Sequence, residues 1–133
     1  MDERIKDKSE EIVRFLEQLE EITPKDYGEY ERDFKTKAAC ERYFEKIVEA
    51  CEDLAFLILR EKSIKIPEKE ESVFFILYKN NLINEDLYKK LKEAKGMRNI
   101  ISHQYGNIND EIVFESITSQ LIKDIEEFME KIV

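Results

Sequence analysis

The chain contains one histidine, His103, within Gly96-Met97-Arg98-Asn99-Ile100-Ile101-Ser102-His103-Gln104-Tyr105-Gly106. An imidazole titrates near neutral pH, so it can take a proton from a ribose 2′-hydroxyl or give one to a leaving oxygen. The Arg98 guanidinium can hold a phosphate by two hydrogen bonds and stabilise its developing charge. Asn99, Ser102 and Tyr105 are polar groups able to orient the imidazole or the phosphate. These are the residue types that RNA cleavage without a metal requires. Each also has a plain structural use. A histidine near a helix C-terminus complements the dipole, an arginine forms surface ion pairs, and a tyrosine packs half-buried.

Helix geometry sorts this string. Asn99 and His103, four apart, share a face, and Arg98 and Tyr105, seven apart, also align. Arg98 and His103 are five apart, about 140° around the axis at about 100° per residue. A long arginine spans part of that angle. A second copy of the helix, facing the first across a dimer interface, spans it better.

The elements that must position this helix follow from apolar periodicity. Ile5, Ile12, Leu16 and Leu19 mark a first helix from Asp2 to Ile22, broken at Thr23-Pro24. Gly28 keeps the next link loose, with room for a helical turn. A long second helix runs from about Tyr30 to Lys62, with Cys40, Tyr43, Ile47, Ala50, Leu54 and Leu57 at helical spacing. Phe44, Cys51 and Ile58 widen this stripe enough to pack against two neighbours. A short third helix is expected over Pro67–Lys79, with Val73, Phe74, Ile76 and Leu77 buried and Asn80-Asn81 as its stop. Asn84 reads as the N-cap of the fourth helix, which carries the His103 string and ends near Tyr105-Gly106. Asn109 caps the last helix, whose stripe is Phe114, Ile117, Leu121, Ile125, Phe128 and Ile132. The expected fold is all-α: one domain over residues 1–133, an antiparallel up-and-down bundle of four long helices plus one short helix.

Composition supports a helical bundle. Apolar residues make up 42% and charged residues 40%, with three Gly and two Pro, too little punctuation for an all-β domain. No apolar run reaches roughly 18 residues, so no membrane span is expected. No apolar signal region follows Asp2-Glu3-Arg4, and a cytoplasmic location is expected. Cys40 and Cys51 lie on one helix, about 16 Å apart along its axis, too far to pair with each other. They read as core residues in a reducing compartment, and one His with two spaced Cys forms no recognisable metal set. The net charge of −9 argues against a general nucleic-acid coat protein. The charge is uneven: Lys89, Lys90, Lys92, Lys95 and Arg98 face only Glu93 between residues 87 and 98, whereas residues 110–133 are strongly acidic.

The string R-x4-H-x-Y, met by Arg98, His103 and Tyr105, resembles the signature of the HEPN superfamily and, within it, the HepT-like toxins of HepT/MntA-type toxin–antitoxin pairs. Asn99 after the arginine and Gly96 two before it also match, and the order of elements fits over nearly the whole chain. Met97 departs from the aromatic residue often found there, a packing change that leaves the chemistry alone. The resemblance implies an all-helical homodimer whose two motifs form a composite, metal-independent ribonuclease cleft with no cofactor. It implies His103 as general acid/base, Arg98 as phosphate clamp and Asn99 in support, beside the supporting roles that residue chemistry alone gives Ser102 and Tyr105. It implies an RNA substrate and a nucleotidyltransferase antitoxin, encoded alongside, that can add AMP to the motif tyrosine, here Tyr105. AMP there would bring bulk and negative charge into an RNA cleft. Lys89, Lys92 and Lys95, about a turn apart ahead of Arg98, would flank that cleft and locally reverse the negative potential. Met97 and Ile100 lie off the Leu87/Leu91/Ala94 face and are expected to be apolar groups that a partner copy covers. Two other readings fit the residues: a helical module that binds a nucleotidyltransferase or a nucleotide without cutting RNA, and a plain bundle in which His103 only ends a helix.

Overall fold

The computed structural model describes residues 2–66, 72–103 and 108–133. Among these residues every regular element is helical. Helix α1 spans Glu3–Ile22, α2 Tyr27–Arg32, α3 Phe34–Glu61, α4 Val73–Lys79, α5 Glu85–His103, α6 Asp110–Ser116 and α7 Ile122–Ile132. A π-helical segment, Ile117–Leu121, joins α6 to α7 into one continuous rod. The four long members, α1, α3, α5 and the α6–α7 rod, pack in a ring: α1 on α3, α3 on α5, α5 on α7 and α7 on α1. Helix α3 also touches α2, α4 and α7, the central position that its wide apolar stripe demands.

Helix starts follow the sequence closely. The side chains of Asp2, Asn84 and Asn109 each accept a backbone N–H from the first turn of the helix they open. Each satisfies a donor the helix itself leaves unpaired. The stop at Asn80-Asn81 has a conformational basis. Asn81 takes φ 62°, and Leu82 N–H closes on Leu77 C=O at 2.9 Å. This is a left-handed cap that asparagine tolerates better than most residues.

Two boundaries differ from the apolar pattern. The expected helix from Tyr30 to Lys62 is two helices. Asp33 leaves helical geometry at φ −109°, ψ 96°, and its carboxylate accepts from the N–H groups of Lys35 and Thr36 and the Thr36 hydroxyl. Tyr30 therefore belongs to α2, where it is fully buried and packs against Phe114 at 5.1 Å between ring centroids. The short helix begins at Val73 rather than Pro67, because the Ser72 hydroxyl accepts from Phe74 N–H and caps it there. Pro67 itself lies outside the described residues. The last helix carries a feature with no periodic signature: the Thr118 hydroxyl donates to Phe114 C=O at 2.9 Å beside the π-helical turn. Such back-bonding competes with the backbone ladder and lets the helix widen locally.

The core is one contiguous cluster. Ile12, Leu19, Phe44, Ile47, Leu54, Leu59, Leu77, Leu87, Leu91, Ile125 and Phe128 are essentially fully buried, and Phe74 meets Phe128 edge-on at 5.8 Å. Cys40 and Cys51 are buried, unpaired thiols of α3, and burial pushes both up in pKa. That keeps them protonated and unreactive near neutral pH. No helix among the described residues is long and apolar enough to cross a membrane.

Candidate active site at the end of the motif helix

Helix α5 is built to present its last two turns. Glu85 and Asp86 sit in the first turn, where the dipole favours them, and His103 is its final residue. Leu87, Leu91 and Ile101 are buried and fix the helix on the core. Arg98 falls on this inward side. Its side chain is only 13% exposed, and Nη1 donates to Glu52 Oε1 of α3 at 2.8 Å. Its Nε donates to Asn99 Oδ1 at 2.9 Å. One turn later, the Ser102 hydroxyl donates to Glu45 Oε2, also on α3, at 2.6 Å. His103 faces the other way and is exposed, as are Asn99 and Ile100 beside it.

The exposed ridge of α5 is continuous. Lys92 lies about 20° and Lys89 about 40° from the His103 direction at about 100° per residue. Gly96 lies in the same ridge, and a Cβ added there would meet nothing within 4 Å. A mid-helix glycine costs roughly 1 kcal/mol relative to alanine, and no contact within the described chain requires it. The basic row is less uniform than its spacing suggests. Lys89 pairs with Glu85 at 3.0 Å, and Lys95 turns to Glu52 at 3.7 Å, about 80° from His103. Lys92 is exposed with no ion pair among the described residues.

The structure thus bonds Arg98 and Ser102 to α3 and leaves His103 on the outer ridge, with Asn99 exposed between the two and bonded to Arg98. Tyr105, with Gln104 and Gly106, lies outside the described residues. Ile100 is 43% exposed, as expected. Met97 is a correction: it is half-buried against the core and lines a cleft of about 390 Å³ between α5 and the α6–α7 rod. The α6–α7 rod packs closely enough on α5 to cover it.

The residues that sequence reasoning missed are Glu45 and Glu52. They are seven apart, two helical turns, so they repeat on one flank of α3, each directly after a seam residue, Phe44 and Cys51. Carboxylates at the border of an apolar stripe are a signal for an inter-helix ion pair, but they do not name the partner. Among the described residues no group of three or more His, Cys, Asp or Glu is arranged to hold a metal ion.

Comparison with known proteins agrees with the fold. Residues 12–132 match the family model described as ribonuclease HepT-like. The chain is 30% identical over 132 residues to the mRNA nuclease HepT of Shewanella oneidensis, covering 99% of this chain and 98% of that protein. It is 25% identical over 128 residues to a protein of Archaeoglobus fulgidus named as a putative RNase, covering 90% and 96%. A solved structure of a tri-AMPylated Shewanella oneidensis HEPN toxin in complex with MNT antitoxin superposes with a TM-score of 0.88 at 30% identity, covering 99% of this chain and 98% of that one. With matches that extend over nearly its whole length, the chain belongs to the ribonuclease HepT-like family.

Proposed function

We propose that the protein is a metal-independent endoribonuclease and the toxin of a toxin–antitoxin pair. It acts as a homodimer in the cytoplasm, with two copies of the α5 motif forming one composite site. The observation that carries this reading is the opposed placement of Arg98 and His103. One is anchored at the α3–α5 seam and the other stands free on the outer ridge of α5. A single copy turns the two groups apart, so a second copy of α5 across the ridge supplies the missing half. The open surface over Gly96 and the exposed Ile100 support a close approach there.

In such a cleft one His103 removes the proton of a ribose 2′-hydroxyl. The freed 2′-oxygen forms a bond to phosphorus and the bond to the 5′-oxygen breaks. The leaving oxygen takes a proton from water, and the imidazolium formed in the first step returns its own to solvent. Arg98 stabilises the negative charge that builds on the phosphate. Asn99 and Ser102 support the arginine and the helix end. Lys89, Lys92 and Lys95 raise the local potential for RNA, with Lys92 the most available because it is unpaired among the described residues.

The partner in this reading is a nucleotidyltransferase antitoxin that adds AMP to Tyr105. The Shewanella oneidensis HEPN toxin solved in complex with MNT antitoxin is tri-AMPylated, which supports AMP addition as the form of control. Expression of the chain alone tests it. Growth arrest by the wild type, none by His103→Ala, and relief by the nucleotidyltransferase encoded alongside, with AMP-sized mass increments on Tyr105, is the expected outcome. Full growth with the unmodified wild type would overturn it.

A further inference from the structure

We propose that Glu52 is the positioning residue for Arg98. It holds the guanidinium in the orientation that presents its remaining donors to a phosphate. The proposal rests on the reading of Arg98 as a phosphate clamp.

A guanidinium carries five N–H donors in a rigid plane, but it sits at the end of a stem with several rotatable bonds. Left alone on a helix it samples many directions. Here two contacts fix the plane. Glu52 Oε1 takes Nη1 at 2.8 Å, and Asn99 Oδ1 takes Nε at 2.9 Å. Nη2 takes no hydrogen-bond partner among the described residues, and in the proposed arrangement it is the donor left for the phosphate. Both side chains are largely shielded, 13% exposed for Arg98 and 22% for Glu52, so the pair is less screened than a surface ion pair. Glu52 is itself held. Its other oxygen faces the Lys95 ammonium at 3.7 Å, which offsets part of the negative charge that would otherwise oppose an approaching phosphate. Two turns earlier on the same flank of α3, Glu45 takes the Ser102 hydroxyl at 2.6 Å, so the last turns of α5 are fixed at two points. Glu52 touches neither substrate nor reacting atoms in this arrangement. It acts through Arg98 by pre-setting its geometry.

The test compares Glu52→Ala, Glu52→Gln and Arg98→Ala in the full-length protein. Steady-state cleavage of a mixed-sequence fluorogenic single-stranded RNA is read beside thermal melting. Loss of positioning acts on turnover, so Glu52→Ala is expected to lower kcat by about 100-fold with KM changed less than about threefold. Glu52→Gln keeps an oxygen acceptor for Nη1 and is expected to recover to within about tenfold of wild type. An equal loss in both variants, or wild-type kcat in Glu52→Ala, overturns the proposal. If Arg98→Ala is inactive while Glu52→Ala is fully active, only the positioning role falls. If Arg98→Ala cuts normally, the clamp itself falls. The ¹⁵N–¹H signal of Arg98 Nε gives a readout independent of activity. It is expected to be sharp and slow to exchange in the wild type and in Glu52→Gln, and broadened in Glu52→Ala. An unchanged Glu52→Ala spectrum overturns the proposal even if no RNA is cut by any variant.

Discussion

Arg98 and His103 are five residues apart on α5, yet Arg98 is held 2.8 Å from Glu52 in the α3 seam while His103 faces open solvent. The angle of about 140° between them follows from helical geometry alone. In the proposed dimer the arginine of one copy serves the histidine of another.

That complementarity can be read by mixing two dead variants. Arg98→Ala and His103→Ala should each lose about 100-fold or more in cleavage. Mixed after partial unfolding and refolding, they should regain a measurable part of wild-type activity, because a hybrid dimer holds one intact arginine and one intact histidine on opposite copies. No recovery in a hybrid shown to form by native mass spectrometry would exclude a site shared between copies.

Gly96 tests the same surface from the other side. Nothing among the described residues lies within 4 Å of an added Cβ, so Gly96→Ala should stabilise the helix by up to about 1 kcal/mol in chemical denaturation. A larger group, as in Gly96→Leu, should leave the fold intact but push copies apart, seen as a shift to monomer in sedimentation and a parallel loss of cleavage. A Gly96→Leu dimer with full activity would show that α5 does not meet its counterpart here.

The frame that holds α5 should respond as a packed core. Leu91 is fully buried on the inward face of α5. Leu91→Ala should cost about 2–5 kcal/mol in urea unfolding. Removing the Asn109 cap, whose side chain accepts from Ile112 N–H at 3.1 Å, should cost about 1 kcal/mol. A reversal of this order would contradict the assigned core and cap.

Much of this frame is legible in the sequence because caps and periodicity act locally. Asn84 and Asn109 each sit just ahead of two acidic residues, and each caps a helix. The separation of α2 from α3 is less legible, since Tyr30 continues the apolar spacing of the helix that follows. Only the capping geometry of Asp33 reveals the break. The π-helical turn at Ile117–Leu121 leaves the stripe from Phe114 to Phe128 in register and so gives no periodic warning. At the site, His103 and Arg98 stand out as a spaced pair. Glu45 and Glu52 do not, because they are two carboxylates among many and gain meaning only when α3 is laid against α5.

Asp124 gives a pH signature. It is 9% exposed, and burial, as the leading cause, raises its carboxyl above the usual range, with Lys90 partly opposing. A raised carboxylate pKa means that the folded state binds more protons than the unfolded state between the two pKa values. Stability from this residue therefore falls as pH rises through that window, and the penalty persists at neutral pH. Asp124→Asn removes the charge and should raise Tm at pH 7. The gain should shrink as pH falls below about 4, the ordinary range of the aspartate carboxyl. A gain that does not depend on pH would assign the effect to packing instead of charge.

The most direct measurement incubates the purified protein with total cellular RNA in excess EDTA, beside His103→Ala, after intact mass has established that Tyr105 carries no AMP. Cleavage by the wild type and none by His103→Ala is the result expected of a metal-independent ribonuclease that works through His103. Equal cleavage by both proteins, or none by the unmodified wild type, would contradict it.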